Sequence, residues 1–250
     1  MNNEPMTKTV HEQYAQSFEK FLAHTDEKDV FVRKFSGYID RYQPGSLLDI
    51  GAGNGSLALP IAQQVERYVA VEHNPKYAAK LRDTGLTVIQ QAFPAAIDGS
   101  FDLVIMSHVI SYEAGNHMAL IRSAWDLVAD GGNLLIVTHR GGADDDWSRL
   151  LTRVGMGRFE KYAGVYDEIM STLQQRGVVE VRKIVTTLDT AIVEDMLEAM
   201  AFVASGGRLD TYDEFMSHTS ELVRVLNTNY KTEKGYSFPF SHIFIATQKA

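Results

Sequence analysis

The segment LLDIGAGNGSLAL constrains this chain more than any other. A short apolar run, SLLDI (46–50), leads into Gly51, Gly53 and Gly55, and a helical pattern follows (54–65). Glycines at this spacing let the backbone turn tightly and let a ligand approach where a Cβ would obstruct it. The start of the following helix offers free N–H groups and partial positive charge. A second apolar run, RYVAVE (67–72), ends on Glu72, 21 residues after Gly51. A carboxylate at that point can accept hydrogen bonds from the two hydroxyls of a ribose. Strand, glycine turn, helix and second strand make a βαβ unit, which commits the chain to a sheet with parallel strands.

The rest of the first 140 residues repeats that grammar. Asn74-Pro75 reads as a helix start, with Asn as the cap and Pro in the first turn. TVIQQ (87–91), FDLVIMS (101–107) and NLLIVTH (133–139) read as strands, with a helix at 117–128 and a turn at Asp130-Gly131-Gly132. The strands are continuously apolar, as expected when helices cover both faces. Before them, Tyr14, Phe18, Phe21 and Leu22, then Phe31, Phe35, Tyr38, Ile39 and Tyr42, recur at helical spacing until Pro44-Gly45 breaks the pattern. After residue 140, four helical stretches surround two strand-like runs, 178–188 and 236–249. The last run directly follows helices, which fits an antiparallel final strand.

Composition narrows the function. The 250 residues carry 24 Lys+Arg against 32 Asp+Glu, a net charge of −8. That balance argues against nucleic acid as a partner, since phosphate binding needs a basic surface. The absence of cysteine removes a thiolate nucleophile and any thiolate-bound metal. The eight histidines show no HExxH-type spacing, so the spacing supports no metal ligand set. The opening MNNEPMTKTV lacks the apolar core of a secretory signal, and no run approaches the ~20 apolar residues of a membrane helix. The expected compartment is therefore the cytoplasm, with no membrane partner.

The glycine pattern distinguishes between cofactors. A dinucleotide fingerprint is G-x-G-x-x-G, yet Ser56 stands where its third glycine would fall. The pattern D-x-G-x-G-x-G resembles motif I of the class I S-adenosylmethionine (SAM)-dependent methyltransferases. VEHNP, DGSFDLVIMSHVI and LVADGGNLLIVTH match that family's later motifs in order. The resemblance implies a Rossmann-like, seven-stranded, mostly parallel α/β sheet with helices on both faces and the last strand antiparallel. It implies SAM as cofactor and S-adenosylhomocysteine as product. Its site residues would be Asp49, Gly51, Gly53 and Gly55 at the glycine turn, Glu72 on the ribose, and His73 beside the adenine. Tyr77, Gln91, Ala92 and Phe93 would lie near the adenine or ribose, and Ser107 beside the reactive methyl group. A nucleotide-binding Rossmann-like protein, a user of decarboxylated SAM and a non-catalytic SAM binder remain alternatives at this stage.

The flanks resemble the histamine N-methyltransferase family, through YAQSFEKFLAHTDEKDVF (14–31), HVISYEAG, GGADDDWSRLLTRVG and VYDEIMSTLQQRGVVEVRKIVTTLD. The resemblance implies an N-methyltransferase acting on a small amine or nitrogen heterocycle. An O- or C-methyltransferase acting on a small natural product is the alternative. By position, Tyr14, Phe18, Glu27, His108, Tyr112 and Trp147 would bind the acceptor, and His108 would accept or orient its proton. Ser111 replaces a tyrosine of that family and Phe240 an asparagine. From the residues alone, Tyr14 and Phe18 also suit a core stripe, Glu27 a cap, and Trp147 a helix packing on the sheet. Asp144, Asp145 and Asp146 suit the start of that helix better than a metal site. The expected organisation is one domain over 1–250. Residues 1–43 would be a helical lid, 44–140 the SAM-binding core, and 141–250 the rest of the sheet with a helical insertion at 189–229.

Overall fold

The computed structural model describes residues 8–110, 115–140, 145–156, 160–205 and 209–250. Its sheet runs in the order β3-β2-β1-β4-β5-β8-β6, with the two-residue β7 paired to β8. The strands are β1 (Ser46–Ile50), β2 (Arg67–Val71), β3 (Thr87–Ile89), β4 (Phe101–Ser107), β5 (Val128–Thr138), β6 (Val179–Thr190), β7 (Lys231–Thr232) and β8 (Gly235–Gln248). β1 to β5 pair in parallel, and β8 joins β5 antiparallel, with Thr138 opposite Ile243. The expected Rossmann-like sheet with a reversed late strand is present. β7 makes the count eight, because a strand of two residues leaves no periodic trace. Strand order reverses between β1 and β4, and in such sheets the ligand crevice opens at the carboxyl ends beside that reversal.

The chain forms two compact units. One comprises residues 1–27, 143–159 and 185–240; the other comprises 28–142, 160–184 and 241–250. In the sheet-bearing unit, alternation along the strands fills two cores. Leu47, Ala70, Leu103, Ile105, Leu135, Val137 and Phe244 point to one face. There they meet Phe31, Phe35, Tyr38 and Ile39 of α2 (Glu27–Tyr42) and Ile61 of α3 (Ala58–Ala62). Leu48, Ile50, Val69, Val71, Val104, Met106 and Ile136 point to the other face. They meet Ile121, Ala124 and Trp125 of α5 (His117–Asp126) and Ile169 and Leu173 of α7 (Glu160–Gln174). α4 (Pro75–Asp83) starts where Asn74 caps it, its side chain accepting from Lys76 N.

Residues 8–43 are shared between the two units. α1 (Lys8–Ala23) belongs to the helical unit, where Lys20 Nζ reaches Glu198 Oε2 at 2.5 Å. Most of α2 is core to the sheet, and Phe31 and Phe35 are fully buried. The helical unit also holds α6 (Asp146–Arg153), α8 (Val193–Ser205), α9 (Leu209–Ser217) and α10 (Thr219–Asn229). Asp145 caps α6, accepting from Ser148 N at 3.2 Å, and Asp146 pairs with Arg149. Those acids act as helix-start groups; Asp144 lies outside the described residues. No helix among the described residues is long and apolar enough to cross a membrane.

Candidate functional site

β1 ends in a turn that only glycine can make cheaply. Gly51, Gly53 and Gly55 have φ of 80°, 60° and 90°, all in the left-handed region. The turn is tied to β2, since Gly51 N and Ala52 N both donate to Val71 O. Asn54 Oδ1 accepts from Ser56 N at 3.1 Å and closes the loop before α3 begins. That local bond uses up the first residues of the expected 54–65 helix.

Glu72 is the keystone of this loop. It is 4 % exposed, and its two oxygens divide between two segments. Oε2 accepts from Gly53 N at 2.8 Å and Oε1 from Asn74 N at 2.6 Å. One carboxylate thus fixes both the glycine turn and the start of α4. Each oxygen keeps acceptor capacity for a further donor such as a ribose hydroxyl. His73 Nδ1 lies 3.5 Å from Glu72 Oε1 and its ring is largely exposed. Asp49 lies beneath the loop, 1 % exposed, with Oδ2 accepting from Tyr68 OH at 2.5 Å. Burial pushes the Asp49 carboxyl up to about 6; the Tyr68 bond and Lys28 pull it down, and the Glu72 charge adds to the rise. Burial and the same neighbour hold the Tyr68 phenol well above its ordinary range.

The loop after β4 adjoins the glycine turn. A Cβ placed on Gly51 would lie 2.6 Å from Val109 Cγ2, so the two loops touch where glycine leaves room. Gly51→Ala should therefore add a clash to a disfavoured φ and cost about 1–3 kcal/mol. A lowered urea midpoint would show it, and an unchanged midpoint would contradict the packing. Ser107 Oγ, ending β4, is buried with no hydrogen-bond partner among the described residues. His108 follows with φ of 54°, an uncommon value for a side-chain-bearing residue. Its N–H donates to Val137 O at 3.0 Å, which holds the kink in place.

The residues expected at the cofactor site gather around these loops to different depths. Tyr77 is buried in α4 (2 % exposed). Gln91 and Ala92 are exposed after β3, and Phe93 packs against the second core face. A buried carboxylate with spare acceptor capacity, a left-handed glycine turn and an orphaned serine hydroxyl at adjacent strand ends suit a ribose-bearing cofactor.

The expected acceptor residues fall in both units. In the helical unit, Phe18 and Phe21 lie against Phe202, at 5.5 and 5.7 Å between ring centroids. Trp147 is 3 % exposed and meets Phe240 at 5.2 Å, with Phe215 and Phe238 around it. Glu27 is buried (5 % exposed), and its N–H donates to Thr25 Oγ1. Tyr14 lies in α1, its side chain outside what the structure describes, and Tyr112 lies outside the described residues. Phe240 lies against Phe21, Trp147 and Phe238.

Sequence reasoning missed two neighbours of His108. His108 Nε2 and His242 Nδ1 are 3.1 Å apart, and the His139 ring lies 4.8 Å from that of His108. Phe31 stacks on His108 at 5.7 Å and meets His242 edge-on at 4.9 Å. The signal in the sequence was faint: one histidine just past β4, one just past β5, and one inside the final apolar strand.

A family model described as a methyltransferase domain matches residues 8–177. A curated protein of Salinispora arenicola, described as a "probable non-canonical nonribosomal peptide synthetase (NRPS) CymA", is 28 % identical over 117 residues, 41 % of this chain. The match spans 2 % of that much longer protein. Among solved structures, YcgJ of Bacillus subtilis superposes with a TM-score of 0.53 and 16 % identity over 82 % of this chain and 92 % of its own. The N-methyltransferase NodS of Bradyrhizobium japonicum gives 0.50 and 12 % over 89 % and 94 %. The plantazolicin methyltransferase BpumL, solved with S-adenosylhomocysteine, gives 0.51 and 10 % over 99 % and 92 %. These likenesses concern the fold.

Proposed function

The chain belongs to the methyltransferase domain family, and from that premise we propose that it transfers the methyl group of SAM to a nitrogen of a small amine or nitrogen heterocycle. The observation that carries the reading is the glycine turn pinned by Glu72, with the His108 loop packed directly against it. Glu72 would hold the ribose, Gly51 to Gly55 the methionine portion, and Ser107 a polar group at the end of β4. Bound SAM supplies an electrophilic methyl group on a sulfonium, so the hard chemistry is the cofactor's.

The chain's own task is alignment. The acceptor nitrogen must lie in line with the C–S bond at about 3–3.5 Å from the methyl carbon. The acceptor nitrogen would take the methyl group that bound SAM supplies, leaving S-adenosylhomocysteine, and the proton it sheds would go to His108. Glu27, Phe18 and Trp147 are acceptor-binding candidates by the sequence resemblance, and an aromatic face favours a cationic or polarisable ring by about 0.5–2 kcal/mol. The choice of nitrogen is supported by the sequence resemblance of 14–31.

The test is a panel of biogenic amines, heterocycles, phenols and activated carbon acids with methyl-labelled SAM. Label on nitrogen, with release of S-adenosylhomocysteine, is expected. Label found only on oxygen or carbon would overturn the nitrogen assignment. Binding of SAM without turnover on any acceptor would count against an enzyme.

A further inference from the structure

We propose that His108, His139 and His242 form a binding site for one divalent transition-metal ion. Three ligand nitrogens, one from each residue, lie within 4.8 Å of one another. Imidazoles around a tetrahedral zinc sit about 3.4 Å apart, given metal–nitrogen bonds of about 2.0–2.1 Å. His108 Nε2 and His242 Nδ1 already stand at 3.1 Å, and the His139 nitrogen lies within 4.8 Å of both.

The topology builds the cluster. β4, β5 and β8 are consecutive in the sheet. His108 and His139 each follow the last residue of a parallel strand. His242 lies on the antiparallel strand, next to Ile243, which pairs with Thr138. All three belong to the sheet-bearing unit.

Two further features suit a metal. His139 Nδ1 lies 3.0 Å from Ser241 O, so its hydrogen goes to that carbonyl and the neutral ring carries its lone pair at Nε2. A backbone carbonyl on the far nitrogen is the usual way a metal-binding imidazole is oriented. Burial is graded as well. His242 is closed off at 1 % exposed, His139 is half-buried, and His108 is open to solvent. Phe31 walls the cluster, stacked on His108 and edge-on to His242. An ion reaching the cluster would meet three imidazole nitrogens, the ligand set of a three-histidine zinc site. An all-imidazole set selects zinc, cobalt or nickel over magnesium and calcium, which need oxygen ligands.

The inference does not depend on which acceptor is methylated. A metal and a proton compete for the same His108 lone pair, so the loaded protein is a form in which His108 holds the ion instead of the acceptor's proton.

The test uses the full chain, stripped with chelator and equilibrated with Zn2+, Co2+ or Mg2+ before desalting. About one equivalent of Zn2+ should be retained, with a tetrahedral Co2+ visible spectrum and no retained Mg2+. His139→Ala and His242→Ala should weaken Zn2+ binding by more than the ~10–100-fold that follows loss of a merely orienting group. Because His242 is buried, the exposed His108→Asn is the decisive variant; Asn tolerates its left-handed backbone. It should also lose Zn2+ while unfolding at the metal-free native midpoint. His117→Ala, altering a histidine bonded to Glu168 instead, should retain the ion. No retained Zn2+ in the native chain, equal retention of Mg2+, or undiminished Zn2+ binding by His108→Asn would overturn the site.

Discussion

Glu72→Ala should abolish measurable SAM binding at concentrations that saturate the native protein, and should lower stability in the absence of ligand. The carboxylate accepts from Gly53 N and Asn74 N, and the residue is 4 % exposed. Bonds to an ionised acceptor contribute about 1.5–3 kcal/mol each, so two lost bonds cost roughly 3–6 kcal/mol. The two ribose hydroxyls would lose the same acceptor, weakening SAM by about 100-fold or more. Glu72→Gln separates the two effects. Its amide oxygen can still accept one backbone N–H, but its NH2 group faces the other donor. It should therefore fold with a lower midpoint and bind SAM more weakly than native. Calorimetric titration with SAM, alongside urea unfolding without it, reads both quantities. A Glu72→Gln variant that binds SAM as tightly as native would remove Glu72 from the ribose, whatever its stability.

How far the molecule is legible in its sequence depends on whether the determining contacts are local. β1 and β4 begin and end where their apolar runs do, because burial on both faces leaves no exposed position to blur the limits. The Asn74 cap is readable for the same reason: the cap directly precedes the helix start at Pro75, and its bond to Lys76 N spans two residues. The expected 54–65 helix shrinks to Ala58–Ala62, since positive φ at Gly53 and Gly55 and the Asn54 turn extend the loop. β5 begins at Val128 instead of 133, and Asp130-Gly131-Gly132 lies within that strand at an irregular register against β4.

The two amino-terminal helices show where pattern runs out. α1 and α2 carry similar apolar stripes, so both looked like lid. Only the packing of Phe31, Phe35, Tyr38 and Ile39 against Leu47, Leu103 and Phe244 assigns α2 to the sheet. A truncation meant to remove a lid must therefore spare α2. The histidine trio lies beyond local reading altogether. It depends on β8 entering the sheet beside β5, a pairing that no spacing in the chain announces.

The Asp49 carboxyl makes folding stability depend on pH in a direction opposite to a salt-bridged acid. Its folded value of about 6 stands above the ordinary 3.8, with burial as the chief cause. The folded chain therefore holds the proton more tightly than the unfolded chain. No penalty exists below about pH 4. Between about 4 and 6 the native state binds more protons, so stability falls as pH rises. Above about 6 the loss is complete, at about 3 kcal/mol. Asp49→Asn cannot ionise, and its amide oxygen can accept from Tyr68 OH as the carboxylate does. Relative to native, the variant should gain about 3 kcal/mol between pH 4 and pH 7. Urea unfolding of both proteins across that range measures the gain, and taking the difference between them cancels every other titrating group. A difference that stays constant with pH would show that Asp49 is ionised in the fold at no cost. SAM affinity supplies a second readout. A carboxyl 1 % exposed beneath the turn acts on the loop through β1 and Tyr68. Asp49→Asn should then leave SAM affinity within a few-fold of native, whereas Glu72→Ala removes it.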